Sequence, residues 1–181
     1  MNLPNKITMV RMGLIPFFVA SYLCLTPNSV IPALLFIIAS VTDFLDGHIA
    51  RSRHLVTTFG KFMDPLADKA LTLSAFILLV GGGQIASWVV VIIVVRELMI
   101  TGFRTIAVSN GVTIAASIWG KYKTTFQMLA IIVLLMENNW LSFLRPFPVA
   151  NVLVALAVIF TILSGVDYLW KNREILDLQN M

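Results

Sequence analysis

Four aspartates at short helical intervals are the residues of this chain with the clearest capacity for chemistry. Asp43 and Asp46 are followed by Gly47, Ala50 and Arg51, and Gly60 is followed by Asp64 and Asp68. On helices, positions 43, 46 and 50 share one face at i, i+3, i+7, and positions 60, 64 and 68 share another at i, i+4, i+8. Antiparallel neighbours joined by a short loop should turn these two rows toward each other. Four carboxylates held so close cannot all stay ionised in a low-dielectric bundle without cations, because like charges disfavour one another. Divalent metal is the natural solution. Oxygen-only ligands favour a hard ion, Mg²⁺ or Mn²⁺. Four Asp residues can hold two ions bridged by a shared carboxylate, and such pairs clamp phosphate oxygens. Gly47 offers no side chain where a ligand approaches the helix closely, and Ala50 and Gly60 extend that small-residue surface. Arg51 can then meet a phosphate bidentately.

The elements that must carry these residues follow from composition. The chain has 181 residues, of which 59% are hydrophobic and 12% charged, with a mean hydropathy of +0.91. That charge content is about half of the roughly 25% typical of soluble domains. It excludes an ordinary water-soluble protein, a disordered chain and a coiled coil. The reading is all-α: a polytopic membrane protein, with spans of about 20 apolar residues filling most of its length. Six apolar segments separate at polar or helix-breaking punctuation, over about 8–25, 30–51, 60–80, 85–108, 118–136 and 149–170. Residues 1–181 read as one integral-membrane domain. A single cysteine, Cys24, excludes an intramolecular disulfide framework and a Cys-based zinc site.

Basic residues set the orientation. The segments joining spans one to two and three to four carry no Lys or Arg, and that joining five to six carries only Arg145. Lys6, Arg11, Arg51, Arg53, Lys61, Arg104, Lys121, Lys123, Lys171 and Arg173 lie at the opposite ends. The positive-inside rule then predicts that both termini and the aspartates are cytoplasmic. The stretch Pro4–Thr8 is expected to lie in the interface before the chain turns into its first span. A net charge of +4 without basic runs interleaved with aromatics points to an anionic membrane surface or a phosphorylated substrate, and not to nucleic acid. Trp88, Trp140 and Trp170 read as interfacial anchors. Asp167 has a bland partner in Lys171 at i+4, and His48 and His54 are poor ligand candidates.

Residues Asp43 to Asp68, DFLDGHIARSRHLVTTFGKFMDPLAD, match the pattern D-x2-D-G-x2-A-R-x8-G-x3-D-x3-D and so resemble the CDP-alcohol phosphotransferases. NLPNKITMVR (Asn2 to Arg11), VVRELMITGFRT (Val94 to Thr105) and SIWGKYKTTFQ (Ser117 to Gln127) extend the resemblance over essentially the whole chain and toward the bacterial branch that uses sn-glycerol 3-phosphate as acceptor. The resemblance implies a six-helix fold, commonly a homodimer, in a bacterial inner membrane. It implies CDP-diacylglycerol as donor, with phosphatidylglycerol phosphate and CMP as products. Carried over by position, Asp43, Asp46, Asp64 and Asp68 bind two metals, and Asp68 is also the general base on the acceptor hydroxyl. Gly47, Ala50, Arg51 and Gly60 would line the cytidine diphosphate site, with Thr57, Asn5 and Thr8 nearby.

A glycerol 3-phosphate acceptor brings a dianion, so a second basic cluster is expected near the metals. Arg104 and Lys121 rank first. Lys123 is either a phosphate ligand or a snorkelling anchor. Arg96 adjoins Glu97 and is as readily a structural ion pair as a substrate contact. Gln127 is a lesser polar candidate. Other acceptors within the family (inositol phosphate, serine or a second phospholipid) remain open at this point, as does, from another class, a divalent-cation transporter.

Overall fold

The computed structural model describes residues 3–26, 28–52, 58–109, 117–137, 140–144 and 146–173. Within these, the side chains of residues 3–6, 43–52, 58–62, 64–65, 108–109 and 144 are not described. Six α-helices follow one another: α1 (Leu3–Cys24), α2 (Ile31–Ser52), α3 (Thr58–Gly81), α4 (Ser87–Ser109), α5 (Ile118–Met136) and α6 (Val149–Lys171). A 3-10 turn, Ser142–Leu144, precedes α6, and there is no strand among the described residues.

The expected segments match these helices closely, with one difference at the start. Pro4–Thr8 does not precede a turn; it is already helical, and α1 runs unbroken from Leu3. Pro4 sits in the first turn, where its missing N–H has no intrahelical acceptor to lose. The end of α3 also has a local cause. Gly83 adopts a left-handed conformation (φ 72°), Gln84 N–H donates to Leu79 C=O at 2.9 Å, and Gly83 N–H donates to Val80 C=O at 3.0 Å. This pair of bonds caps the last carbonyls, and the positive φ suits glycine.

Hydroxyls in the helices are satisfied by their own backbone. Ser40, Thr42, Thr72, Thr101 and Thr161 each donate to the carbonyl four residues back, at 2.5–3.0 Å. In these five side chains the hydroxyl proton is thereby paired within its own helix. Large apolar side chains, among them Phe17, Ile77, Leu98 and Val166, are mostly exposed, a surface suited to lipid contact. Ile7–Cys24 and Val149–Lys171 are long and apolar enough to cross a membrane. In α2 the run Ile31–Thr42 is apolar, and Asp43 follows it in the sequence.

The chain packs as two units. The first comprises Met1–Gln84 with Ile131–Phe147. In it α1 lies against both α2 and α3, which also touch each other. Ala33, Ala39, Ala67 and Ala75 are fully buried, and such small residues let helix backbones approach. Phe18 and Phe36 fill the space between α1 and α2 with ring centroids 5.8 Å apart. Away from the aspartates, Tyr22 Oη donates to Gln84 Oε1 at 3.2 Å and Gln84 Nε2 donates to the Leu134 carbonyl at 2.9 Å.

The second unit comprises Ile85–Ala130 with Pro148–Met181. Here α4 packs on α6, with Ile100, Phe103 and Tyr168 buried together. Phe103 and Tyr168 meet edge to face at 5.7 Å. Gln127 of α5 donates from Nε2 to Thr161 Oγ1 of α6 at 3.1 Å, so its amide serves the packing of these helices.

Candidate active site

The aspartate-bearing segment forms two consecutive continuous helices. Helices joined by so short a connection, residues 53–57, run antiparallel. At 1.5 Å per residue, Asp46 and Asp43 lie roughly 9 and 14 Å from the Ser52 end of α2, while Asp64 and Asp68 lie roughly 9 and 15 Å from the Thr58 end of α3. The two acidic rows therefore stand at matching heights. Asp68 is half-buried, and its backbone carbonyl accepts the Thr72 hydroxyl at 3.0 Å. The side chains of Asp43, Asp46, Ala50, Arg51 and Asp64, and the surroundings of Gly47 and Gly60, lie outside the described residues, and Thr57 does so entirely.

The donor set at these four positions fits a hard divalent ion: carboxylates only, two from each helix, at matching heights. Of the four, only Asp68 has a described side chain, and the described side chains form no group of three or more His, Cys, Asp or Glu.

On α1, Asn5 is helical with its side chain outside the described residues. Thr8 is buried to 1% exposure, and one turn on Arg11 is fully enclosed at 0%. In the sequence Arg11 marks orientation and ends the Asn2–Arg11 stretch of the family resemblance. Its position on α1 predicted its height but not its burial.

The second unit holds a different cluster. Glu97 of α4 is buried and accepts from two cations on the same oxygen, Oε1: Lys123 Nζ of α5, and Arg96 Nη1 at 3.2 Å. All three side chains are only 9–12% exposed. Arg96 Nε is buried and has no hydrogen-bond partner among the described residues. The Arg96 stem passes Gly165 of α6, where a Cβ would lie 3.4 Å from Arg96 Cγ. Arg104 is exposed; its Nε donates to Tyr168 Oη at 3.3 Å and its guanidinium lies 5.6 Å from that ring's centroid. Lys121 is exposed.

The four expected acceptor cations therefore divide. Lys123 and Arg96 are held by Glu97, whereas Arg104 and Lys121 stand open, Arg104 steadied by Tyr168. Glu97 as the shared partner, and Tyr168 as the support, were missed by sequence reasoning. An acid within an otherwise apolar run was the available signal for Glu97. Asp167 behaves as read, 2.7 Å from Lys171, and also accepts from Ser117 Oγ at 2.8 Å.

A family model described as CDP-alcohol phosphatidyltransferase matches residues 1–163, from the start of the chain into α6. The chain belongs to the CDP-alcohol phosphatidyltransferase family. Among curated members, it is 44% identical to the CDP-diacylglycerol–glycerol-3-phosphate 3-phosphatidyltransferase of Bacillus subtilis, over 99% of each chain. Proteins of the same name from Haemophilus influenzae (41%, over 93% of this chain and 91% of the relative) and Rickettsia bellii (34%, over 92% and 93%) are also similar. The family match contains both acidic rows and all four cations of the second unit. The CDP-alcohol phosphatidyltransferase signature thus falls on α2, α3 and the connection between them.

Proposed function

We propose that this chain transfers the phosphatidyl group of CDP-diacylglycerol to the free primary hydroxyl of sn-glycerol 3-phosphate, giving phosphatidylglycerol phosphate and CMP. The observation that carries this reading is the eight-position signature, set on two consecutive helices with its acidic rows at matching heights. The names of the full-length relatives support the same donor and acceptor.

In this reading Asp43, Asp46, Asp64 and Asp68 hold two ions, Mg²⁺ or Mn²⁺. When bound, the ions neutralise the diphosphate and stabilise the departing CMP. Asp68 takes the proton from the acceptor hydroxyl as its oxygen forms a bond to the β-phosphorus and the bond from that phosphorus to the CMP oxygen breaks. Asp68 suits this role because it ends its row, where one carboxylate oxygen can stay free of metal. Gly47, Ala50 and Gly60 let the nucleotide approach the helices, Arg51 contacts its phosphates, and Asn5, Thr8 and Thr57 complete the donor site. Arg104 and Lys121, both exposed, bind the acceptor phosphate, and the buried Lys123 and Arg96 lend it positive potential.

The six helices span a bacterial inner membrane, with both termini and the aspartates cytoplasmic, a topology supported by the one-sided distribution of Lys and Arg. The homodimer belongs to the same reading. Acyl chains then stay in lipid while the polar head is processed at the cytoplasmic face.

Purified protein given CDP-diacylglycerol, Mg²⁺ or Mn²⁺ and labelled glycerol 3-phosphate should release CMP and carry the label into lipid. Serine and inositol phosphate should give far less product. No CMP release with any polar acceptor would overturn the enzyme reading.

A further inference from the structure

We propose that Tyr168 is a positioning residue for the acceptor: its hydroxyl holds the Arg104 guanidinium at Nε, so that the two terminal nitrogens are presented to the phosphate of glycerol 3-phosphate. This assignment rests on the function proposed above. Arg104 is exposed, yet its Nε donates to Tyr168 Oη at 3.3 Å and its guanidinium lies 5.6 Å from the centroid of the same ring. An arginine loose on a surface gives up rotamer freedom when it grips a ligand, and a grip prepared in advance lowers that cost. Engagement through Nε also leaves one bidentate edge open, because the pair of terminal nitrogens matches two phosphate oxygens. No described residue is bonded to those two nitrogens.

The anchor is itself fixed. Tyr168 is 3% exposed and packs with Ile100 and Phe103 of α4, the Phe103 ring meeting it edge to face at 5.7 Å. Asn172 Nδ2 donates to the Tyr168 carbonyl at 2.7 Å, which ties down the backbone in the last turn of α6. The neighbouring Asp167 accepts from Ser117 Oγ at 2.8 Å and so joins this turn to the start of α5. A ring in this place packs as well without its hydroxyl. What the hydroxyl adds, among the described residues, is the bond to Arg104.

The place of Tyr168 in the chain suits a role toward one acceptor. The family match ends at residue 163 and contains the acidic motif, whereas Tyr168 lies beyond it on the same helix, α6. A residue that tunes the acceptor side, and not the shared donor chemistry, belongs outside the part common to the whole family.

The test measures steady-state CMP release by whole chains in detergent, with glycerol 3-phosphate and CDP-diacylglycerol varied in turn. Tyr168→Phe keeps the ring and removes the hydroxyl. It should raise the acceptor KM at least about threefold, the scale of one lost hydrogen bond to a charged group. The kcat, the donor KM and the thermal midpoint should be little changed. In an Arg104→Ala background the same substitution should add nothing, because its effect passes through Arg104. An acceptor KM shifted by less than about threefold, equal losses for both substrates, or an effect undiminished without Arg104 would make Tyr168 a packing residue and overturn the assignment. If Tyr168→Phe fails to fold, Arg104→Lys decides. It keeps the charge but has no guanidinium to be held, so the acceptor KM should rise as far, and an unchanged KM would overturn the proposal. An acceptor KM unmoved by Arg104→Ala would remove Arg104 from the acceptor site, and this assignment with it. A wild-type chain that releases no CMP would instead remove the proposed function itself.

Discussion

Two charged regions of this molecule differ in how their charges are arranged. Along α2 and α3, four acids stand at matching heights on neighbouring helices, and the proposed function has metal ions balance them. In the second unit, Glu97 accepts from both Lys123 and Arg96, and all three side chains are buried. In the proposed function the first takes metal. The second pairs its acid with cations of the same unit. Buried charge does not by itself say what binds; the uncompensated remainder does.

Metal removal should break the contrast most completely. EDTA should abolish CMP release, and added Mg²⁺ or Mn²⁺ should restore it. Turnover that survives chelation would mean that the acidic rows are neutralised by the chain's own cations, as Glu97 is by its neighbours.

Next in size is Asp68→Asn, which keeps the shape but removes the base. Turnover should fall on the order of 10³-fold, with CDP-diacylglycerol binding changed by less than a few fold. Substantial retained activity would take Asp68 out of the base role.

Glu97→Gln tests the second region from the opposite side, by leaving two buried cations without their acid. The expected loss is about 3 kcal/mol of stability, read as a lower thermal midpoint of the purified protein, with Mn²⁺ affinity unchanged. Unchanged stability would show that Lys123 and Arg96 find other partners.

Arg104→Ala and Lys121→Ala should each raise the acceptor KM roughly tenfold, equivalent to about 1.4 kcal/mol, with donor KM little changed. An equal loss for both substrates would count against acceptor binding. The smallest effect is expected for Lys171→Ala. The Lys171 side chain is 66% exposed, and solvent screens an exposed i,i+4 pair, so the thermal midpoint should barely move. Neither KM should move.

Legibility in the sequence followed the range of the forces. The expected segment 118–136 coincides with α5, and the others agree with their helices to within a few residues, because apolar runs and glycine stops act over one or two turns. The exception, Pro4–Thr8, was read as a separate interfacial piece, although proline in a first turn is compatible with a continuous helix. The acidic rows were visible for the same local reason: a spacing of three or four residues is itself a statement about a helix face. Glu97 was read only against its neighbour Arg96, since its other partner, Lys123, is 26 residues away. Tyr168 stands 64 residues from the Arg104 it supports, and no local pattern joins them.

The sequence by itself determined that this is an all-helical chain with an acidic, oxygen-only motif at a set spacing, because periodicity and residue chemistry are local properties. Only the tertiary structure decided which charges are enclosed. It showed Arg11 sealed on α1 beside the acidic helices, and Lys123 and Arg96 drawn to Glu97 while Arg104 and Lys121 stay open. Burial is settled by what packs from elsewhere in the chain, and burial sets how strongly each charge needs a partner.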